Sequence, residues 1–161
     1  MVYSCMDTWP VVESFFKEYT LVKRQVDSFN TFVSHKIQTI IDEAGPINNG
    51  PWTLNFSNFS ISKPMHTETN GQIKDIYPHE SRLRNITYAS NMYFDILVKR
   101  EEKSENFKNI YLGKLPIMIG SKYCNLQEPK NECPHDPGGY FIVTGSEKVV
   151  IAQEKMNNNQ V

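Results

Sequence analysis

The residue types best suited to chemistry in this sequence are its three cysteines and four histidines. Cys124, Cys133 and His135 are the one group near enough to suggest a metal site. The eight residues between the two cysteines do not make the short knuckle that zinc prefers, and no second pair exists to complete four ligands. No metal ligand is assigned. Cys5 makes the cysteine count odd, which argues against a disulfide framework and for a reducing compartment. His35 falls on the polar side of a helical pattern, and His66 and His79 lie in turn-rich stretches without a partner that would make either a general base. Ser146 stands in Gly145-Ser146-Glu147, which lacks the second glycine of a nucleophile elbow. Gly138-Gly139 reads as a strand-entry turn, since no helix follows to hold a phosphate. The acidic residues cluster on helix surfaces and in one charged stretch, so no pair of carboxylates stands out for hydrolysis. No catalytic residue is assigned.

What remains is polar recognition. Arg82 and Arg84, spaced two apart, would share one face if they lay on a strand and could grip a phosphate or carboxylate; pairing within the chain is the competing reading. Lys148, Gln153 and Lys155 raise the same choice, because Gln153 and Lys155 alternate with Ala152 and Glu154 along a strand candidate. A formal net charge of −1 supplies no long-range field toward a polyanion, so any nucleic-acid contact must be local. With 39% hydrophobic residues the chain can build a core, yet no apolar run approaches the length of a membrane-spanning helix. The opening MVYSCMDTWP lacks the basic flank and apolar stretch of a secretory signal, so the sequons at Asn55, Asn58 and Asn85 are read as chance.

The elements that must position these residues are legible from periodicity. Trp9, Val12, Phe16 and Tyr19 recur at helical steps, with Pro10 tolerated in the first turn. Val22, Val26, Phe29, Val33, Ile37 and Ile40 form one apolar seam, with Arg24, Asp27, Thr31, Ser34 and Gln38 opposite, until Gly45-Pro46 stops the helix. The period then becomes two. Trp52, Leu54 and Phe56 alternate, and Phe59 and Ile61 resume out of phase, as a bulge at Ser57-Asn58 would produce. Thr69-Asn70-Gly71-Gln72 marks a turn, and Tyr77-Pro78 prevents a helix before His79. Alternation from Ile86 to Val98 and an apolar run from Phe107 to Ile119 predict two strands, joined by KREEKSENFK as a charged loop; Pro116 suggests an edge or a strand start. Tyr140 to Val143 and Val149 to Ala152 predict a last hairpin, turning through Gly145-Ser146-Glu147-Lys148. Helices over about 8–44 followed by antiparallel strands over about 51–156 place the chain in the α+β class.

Four strings are more specific than any of these patterns: LVKRQVDSFNTFV (21–33), RLRNITYAS (82–90), GKLPIMIGSKYCNL (113–126) and NECPHDPGGYFIVTGSEKVVIAQEKM (131–156). In this order they resemble the N-terminal portion of the second-largest subunit of multisubunit DNA-directed RNA polymerases, most like the RNA polymerase II type. The resemblance runs from Trp9 to the end. It implies that 1–161 is an incomplete protrusion domain, an α+β region on one wall of the DNA cleft. The implied function is DNA-templated transcription by a nucleotidyltransferase complex, in which this chain serves as scaffold and cleft wall. The implied partners are the remainder of its own subunit, the largest subunit, the other polymerase subunits, and DNA template and RNA–DNA hybrid through the complex; no membrane is implied.

In that family the Mg²⁺ of the catalytic centre and the structural Zn²⁺ lie elsewhere in the polymerase, so no cofactor is expected here, and Cys124 and Cys133 match cysteines that are not zinc ligands. The strand that includes Gln153 lies near the RNA–DNA hybrid, which makes Lys148, Gln153 and Lys155 the nucleic-acid-facing candidates. Gly120 departs from the arginine that relatives often place before the Ser-Lys pair, and the loops at 46–51, 67–72 and 101–106 are shorter than in many cellular relatives. The end at Val161 leads to the expectation of a fragment or split product whose strands are completed elsewhere. The expected location is the nucleus if the source is eukaryotic, and host cytoplasm or virion if it is viral. A stand-alone truncated paralogue or virion protein, acting as a non-catalytic interaction module, is the alternative.

Overall fold

The computed structural model describes residues 8–100, 103–126, 132–133, 135–151 and 153. The first helix, α1 (Trp9–Glu18), carries Pro10 in its first turn, and none of its residues is buried. Next come α2 (Lys23–Thr31), a π-helical turn over Phe32–Lys36, and α3 (Ile37–Ala44), which ends at Gly45 in a left-handed conformation (φ 66°). Phe29 and Val33 are buried as the seam requires, but Ile40 is 57% exposed. The π turn is the reason: its wider loop resets the helical phase, so α3 presents a different face from the one a 3.6-residue repeat extrapolates. Gln38, assigned to the polar side, instead reaches the sheet, where its Oε1 accepts a hydrogen bond from the Phe59 amide at 2.9 Å. That amide lies where the strand register shifts between Ser57 and Ser60, so the helix satisfies a donor that the bulge takes out of the ladder. Gln38→Ala is expected to cost about 1–3 kcal/mol, the price of a part-buried unsatisfied amide, and hydrogen exchange at Phe59 should accelerate.

The sheet is antiparallel throughout, in the order β1 (Ile47–Asn49), β2 (Trp52–Thr67), β4 (Ala89–Arg100), β5 (Lys103–Pro116), with β3 (Ile73–Asp75) paired to the far end of β2. The bulge expected at Ser57-Asn58 is present, with Asn58 at φ 47°. A second irregularity on β5 places Asn109 at φ 54°. Asp95, on β4 between them, fastens both: one carboxylate oxygen accepts from Asn58 Nδ2 at 3.0 Å and the other from the Asn109 amide at 2.9 Å. The Asn58 bond, then the Asn109 bond, hold the Asp95 carboxyl below the ordinary carboxylate range. A depressed folded-state pKa means that this stabilisation is present above the unfolded value and lost as pH falls through the folded one. Protection of the Asn109 amide is therefore expected to persist through neutral and mildly acidic pH and to fall only on the acid side of the usual carboxylate range; Asp95→Ala should abolish that pH dependence.

KREEKSENFK is not a loop. Strand pairing continues to Arg100 opposite Lys103, so the described residues of the stretch, on either side of 101–102, belong to two solvated strand ends. Alternation of hydrophobicity is lost where both faces meet water, although the ladder itself extends. Arg100 also lies over the Trp52 ring, 4.8 Å from its centroid. Pro116 closes β5, an edge strand, where a missing amide is tolerated.

The core gathers Phe29, Val33, Ile76, Tyr88, Ile117, Met118, Ile119, Cys124 and Ile142, joining the long helix to the segments beyond the sheet. The connection 117–126 and the return through Gly138-Gly139 run close together: the Gly139 amide donates to Ile119 O at 2.8 Å and the Ile119 amide to Tyr140 O at 2.8 Å. Gly139 has φ 79°, and a Cβ there would lie 2.7 Å from Val22 Cβ, so only glycine lets the chain enter β6 (Phe141–Val143) against the helix. This is the strand-entry turn expected from the glycine pair.

Candidate nucleic-acid interface

Lys148 ends β7 (Ser146–Lys148), which pairs with β6 in the register Phe141 to Lys148, Ile142 to Glu147 and Val143 to Ser146. The hairpin turns through Thr144-Gly145, both in the left-handed region at φ 49° and 76°, as a two-residue turn of matching twist requires. This corrects the expected hairpin. Gly145-Ser146-Glu147-Lys148 supplies the second strand rather than the turn, and residues 149–151 are not strand. The apolar run Val149-Val150-Ile151 looked like a strand because of its β-branched composition, whereas the turn was decided by backbone conformation at Thr144-Gly145. Val149, Val150 and Ile151 are 62%, 75% and 80% exposed. Lys148 and Gln153 are both exposed; Lys155 lies outside the described residues, as does Ala152. The strand face expected to be shared by Gln153 and Lys155 thus lies partly outside the described residues.

The hairpin is seated on a short helix, α4 (Pro78–Leu83), which begins at Pro78 itself rather than at His79 as expected, because proline suits the first helical turn. Gly145 packs so closely on the end of this helix that a Cβ would sit 2.6 Å from Asn85 Oδ1, and its amide donates to Ile86 O at 3.3 Å. The Thr144 amide donates to Thr87 Oγ1 at 3.0 Å, and the Tyr88 amide to Ile142 O at 3.0 Å. Ile142 is wholly buried.

Arg82 and Arg84 lie at the end of α4, not on a strand, and they serve different clusters. Arg84 binds both oxygens of Glu68 at 2.7 and 2.8 Å and Glu80 at 2.7 Å, tying the β2–β3 turn to the helix. Hydrogen bonding to Arg84 lowers the pKa of Glu68. Arg82 donates from Nη1 to Glu132 at 2.9 Å, from Nε to Glu147 at 2.8 Å and from Nη2 to Tyr140 Oη. Tyr140 in turn donates to Asp136, whose other oxygen accepts from the Gly138 amide at 2.9 Å. Burial opposes the charge on Arg82, but the Glu132 hydrogen bond and the remaining acidic partners outweigh it and raise its pKa. Burial and the bond to Asp136 likewise push up the Tyr140 hydroxyl. The pairing reading of the two arginines is thus the one observed. Sequence spacing missed the Arg82 cluster because its partners lie some 50 to 65 positions away along the chain.

Cys124 is buried with its Sγ 3.3 Å from Tyr88 Oη, and Cys133 is exposed. Among the described residues, no three His, Cys, Asp or Glu side chains are grouped to hold a metal ion. No helix there is long and apolar enough to cross a membrane.

The geometry defines an α+β structural module in which a hairpin seated on a short helix carries an exposed lysine at its end. Comparison with known proteins specifies which module. The family model described as "RNA polymerase beta subunit" matches residues 20–158. The chain is 38% identical to DNA-directed RNA polymerase II subunit 2 of Arabidopsis thaliana, with 96% of this chain and 16% of that protein aligned. It is also 38% identical to DNA-directed RNA polymerase subunit Rpo2N of Methanococcus vannielii, over 97% of this chain and 34% of that one. Against DNA-directed RNA polymerase II subunit RPB2 of Schizosaccharomyces pombe the identity is 35%, over 96% and 16%. The chain belongs to the RNA polymerase beta subunit family, and it spans between about one sixth and one third of the length of these relatives.

Proposed function

We propose that this chain is the N-terminal part of the second-largest subunit of a multisubunit DNA-directed RNA polymerase. Residues 1–161 form an incomplete protrusion domain that builds one wall of the DNA cleft. Its role in transcription is to scaffold and position, while nucleotidyl transfer, with its Mg²⁺, and the structural Zn²⁺ belong to other parts of the complex. The carrying observation is the family match over 20–158, together with alignment of nearly the whole chain to polymerase subunits of eukaryotes and archaea. Exposed apolar surface supports the reading. Large apolar side chains of α1, among them Val11 at 71% and Phe15 at 56%, stay in contact with water, as does Leu21 at 78%. Surfaces of this kind mark contact with further protein.

Within the complex, Lys148, Gln153 and Lys155 face nucleic acid near the RNA–DNA hybrid. The exposed position of Lys148 at the end of a fixed hairpin and the exposure of Gln153 support the first two. The complex works in the nucleus of a eukaryote, or in the host cytoplasm or virion of a virus. Affinity purification of the tagged chain from its native source tests the proposal: the largest polymerase subunit should be recovered in one-to-one ratio. Elution of the chain alone near its monomer mass would instead identify a free-standing interaction module.

A further inference from the structure

We infer that Arg82 is a positioning residue: through Glu147 it sets the rotation of β7, and thereby the side on which Lys148 meets nucleic acid. This inference rests on the reading of Lys148 given above. The two strands of the hairpin are held very unequally. Strand β6 is locked by the burial of Ile142 and by the backbone bond from Tyr88 to Ile142 O. Strand β7 is exposed at all three residues. Isolated two-stranded hairpins are marginal in water, so the outer strand needs a second attachment to keep one orientation. Among the described residues, Glu147 is the one β7 side chain with a hydrogen bond or ion pair, and its partner is Arg82.

Successive strand residues point to opposite faces. Fastening Glu147 on the α4 side therefore turns Lys148 to the other side, which it shares with its cross-strand partner Phe141. The planar guanidinium makes that orientation definite. Its Nη1 is committed to Glu132, whose side chain is only 8% exposed, and its Nη2 to Tyr140, so the direction in which Nε meets Glu147 is fixed by two further side chains. A lysine has no such fork.

The test uses the assembled polymerase containing the full-length subunit, with binding to an RNA–DNA hybrid scaffold followed over a salt series. Lys148→Ala should reduce the slope of log affinity against log salt by about 0.9, as expected for one lost phosphate contact. Glu147→Gln, at an exposed position where folding is not at risk, should reduce it by about the same amount. Arg82→Gln and Arg82→Lys should do likewise, and Glu147→Gln should add nothing in a Lys148→Ala background. Removing an acidic group would by simple charge arithmetic strengthen binding, so a weakened slope is the signature of lost positioning. If Lys148→Ala lowers the slope while Glu147→Gln leaves it unchanged or raises it, Arg82 and Glu147 are merely structural and the inference is overturned with the Lys148 reading intact. A Lys148→Ala variant with wild-type slope would overturn that reading itself.

Discussion

Tyr88→Ala is expected to destabilise the chain by about 3–5 kcal/mol, the range for removing a fully buried aromatic side chain and leaving a cavity. Tyr88 has no exposed surface and sits where the main layers meet: its amide donates to Ile142 O and its carbonyl accepts from the Ile117 amide, both at 3.0 Å. The hydroxyl has its own task. It accepts from the Asn125 amide at 2.8 Å, and Asn125 Nδ2 donates in turn to Pro64 O at 3.0 Å and Ile76 O at 3.1 Å. Burial, and then Cys124 beside it, push the Tyr88 ionisation upward. Tyr88→Phe keeps the ring but strands the Asn125 amide, for an expected loss of about 1–3 kcal/mol. Equilibrium urea unfolding of the two variants separates ring packing from the polar network. An alanine variant losing less than about 1 kcal/mol would show that the ring is not in the core.

Phe29→Ala should cost about 3 kcal/mol, the lower end of the range for a buried phenylalanine. Phe29 is 8% exposed and meets Phe141 edge to face, with ring centroids 5.5 Å apart. It stands at the rim of an open groove of about 500 Å³ that it shares with Phe32, Met118 and Val150, so the space left by truncation is already partly open to water. Its removal detaches the long helix from β6 specifically. The same urea experiment should therefore show a loss, together with faster exchange in the Phe141–Val143 amides; a change below about 1 kcal/mol would place the helical seam at the surface.

The two variants also mark what could be read without coordinates. Phe29 and Val33 were legible as core because a helix repeats every 3.6 residues and apolar positions must follow it. The bulge near Asn58 was legible because a one-residue slip inverts the faces of a strand. Errors began where a local pattern had to be extrapolated. The π turn at Phe32–Lys36 carried Gln38 to the sheet and Ile40 to water. The charged ends of β4 and β5 concealed their own pairing, and the β-branched run after Lys148 imitated a strand that ends before it.

The amino-acid sequence alone determined the family, the α+β class and the order from helices to antiparallel strands, since these follow from short-range periodicity and from strings that can be compared directly. Only the tertiary structure decided that Arg82 gathers Glu132, Tyr140 and Glu147, that Asp95 joins two bulges, and that β7 leans on α4. The reason is physical: hydrogen bonds and ion pairs are short-ranged in space but indifferent to separation along the chain, so partners this far apart leave no spacing rule behind.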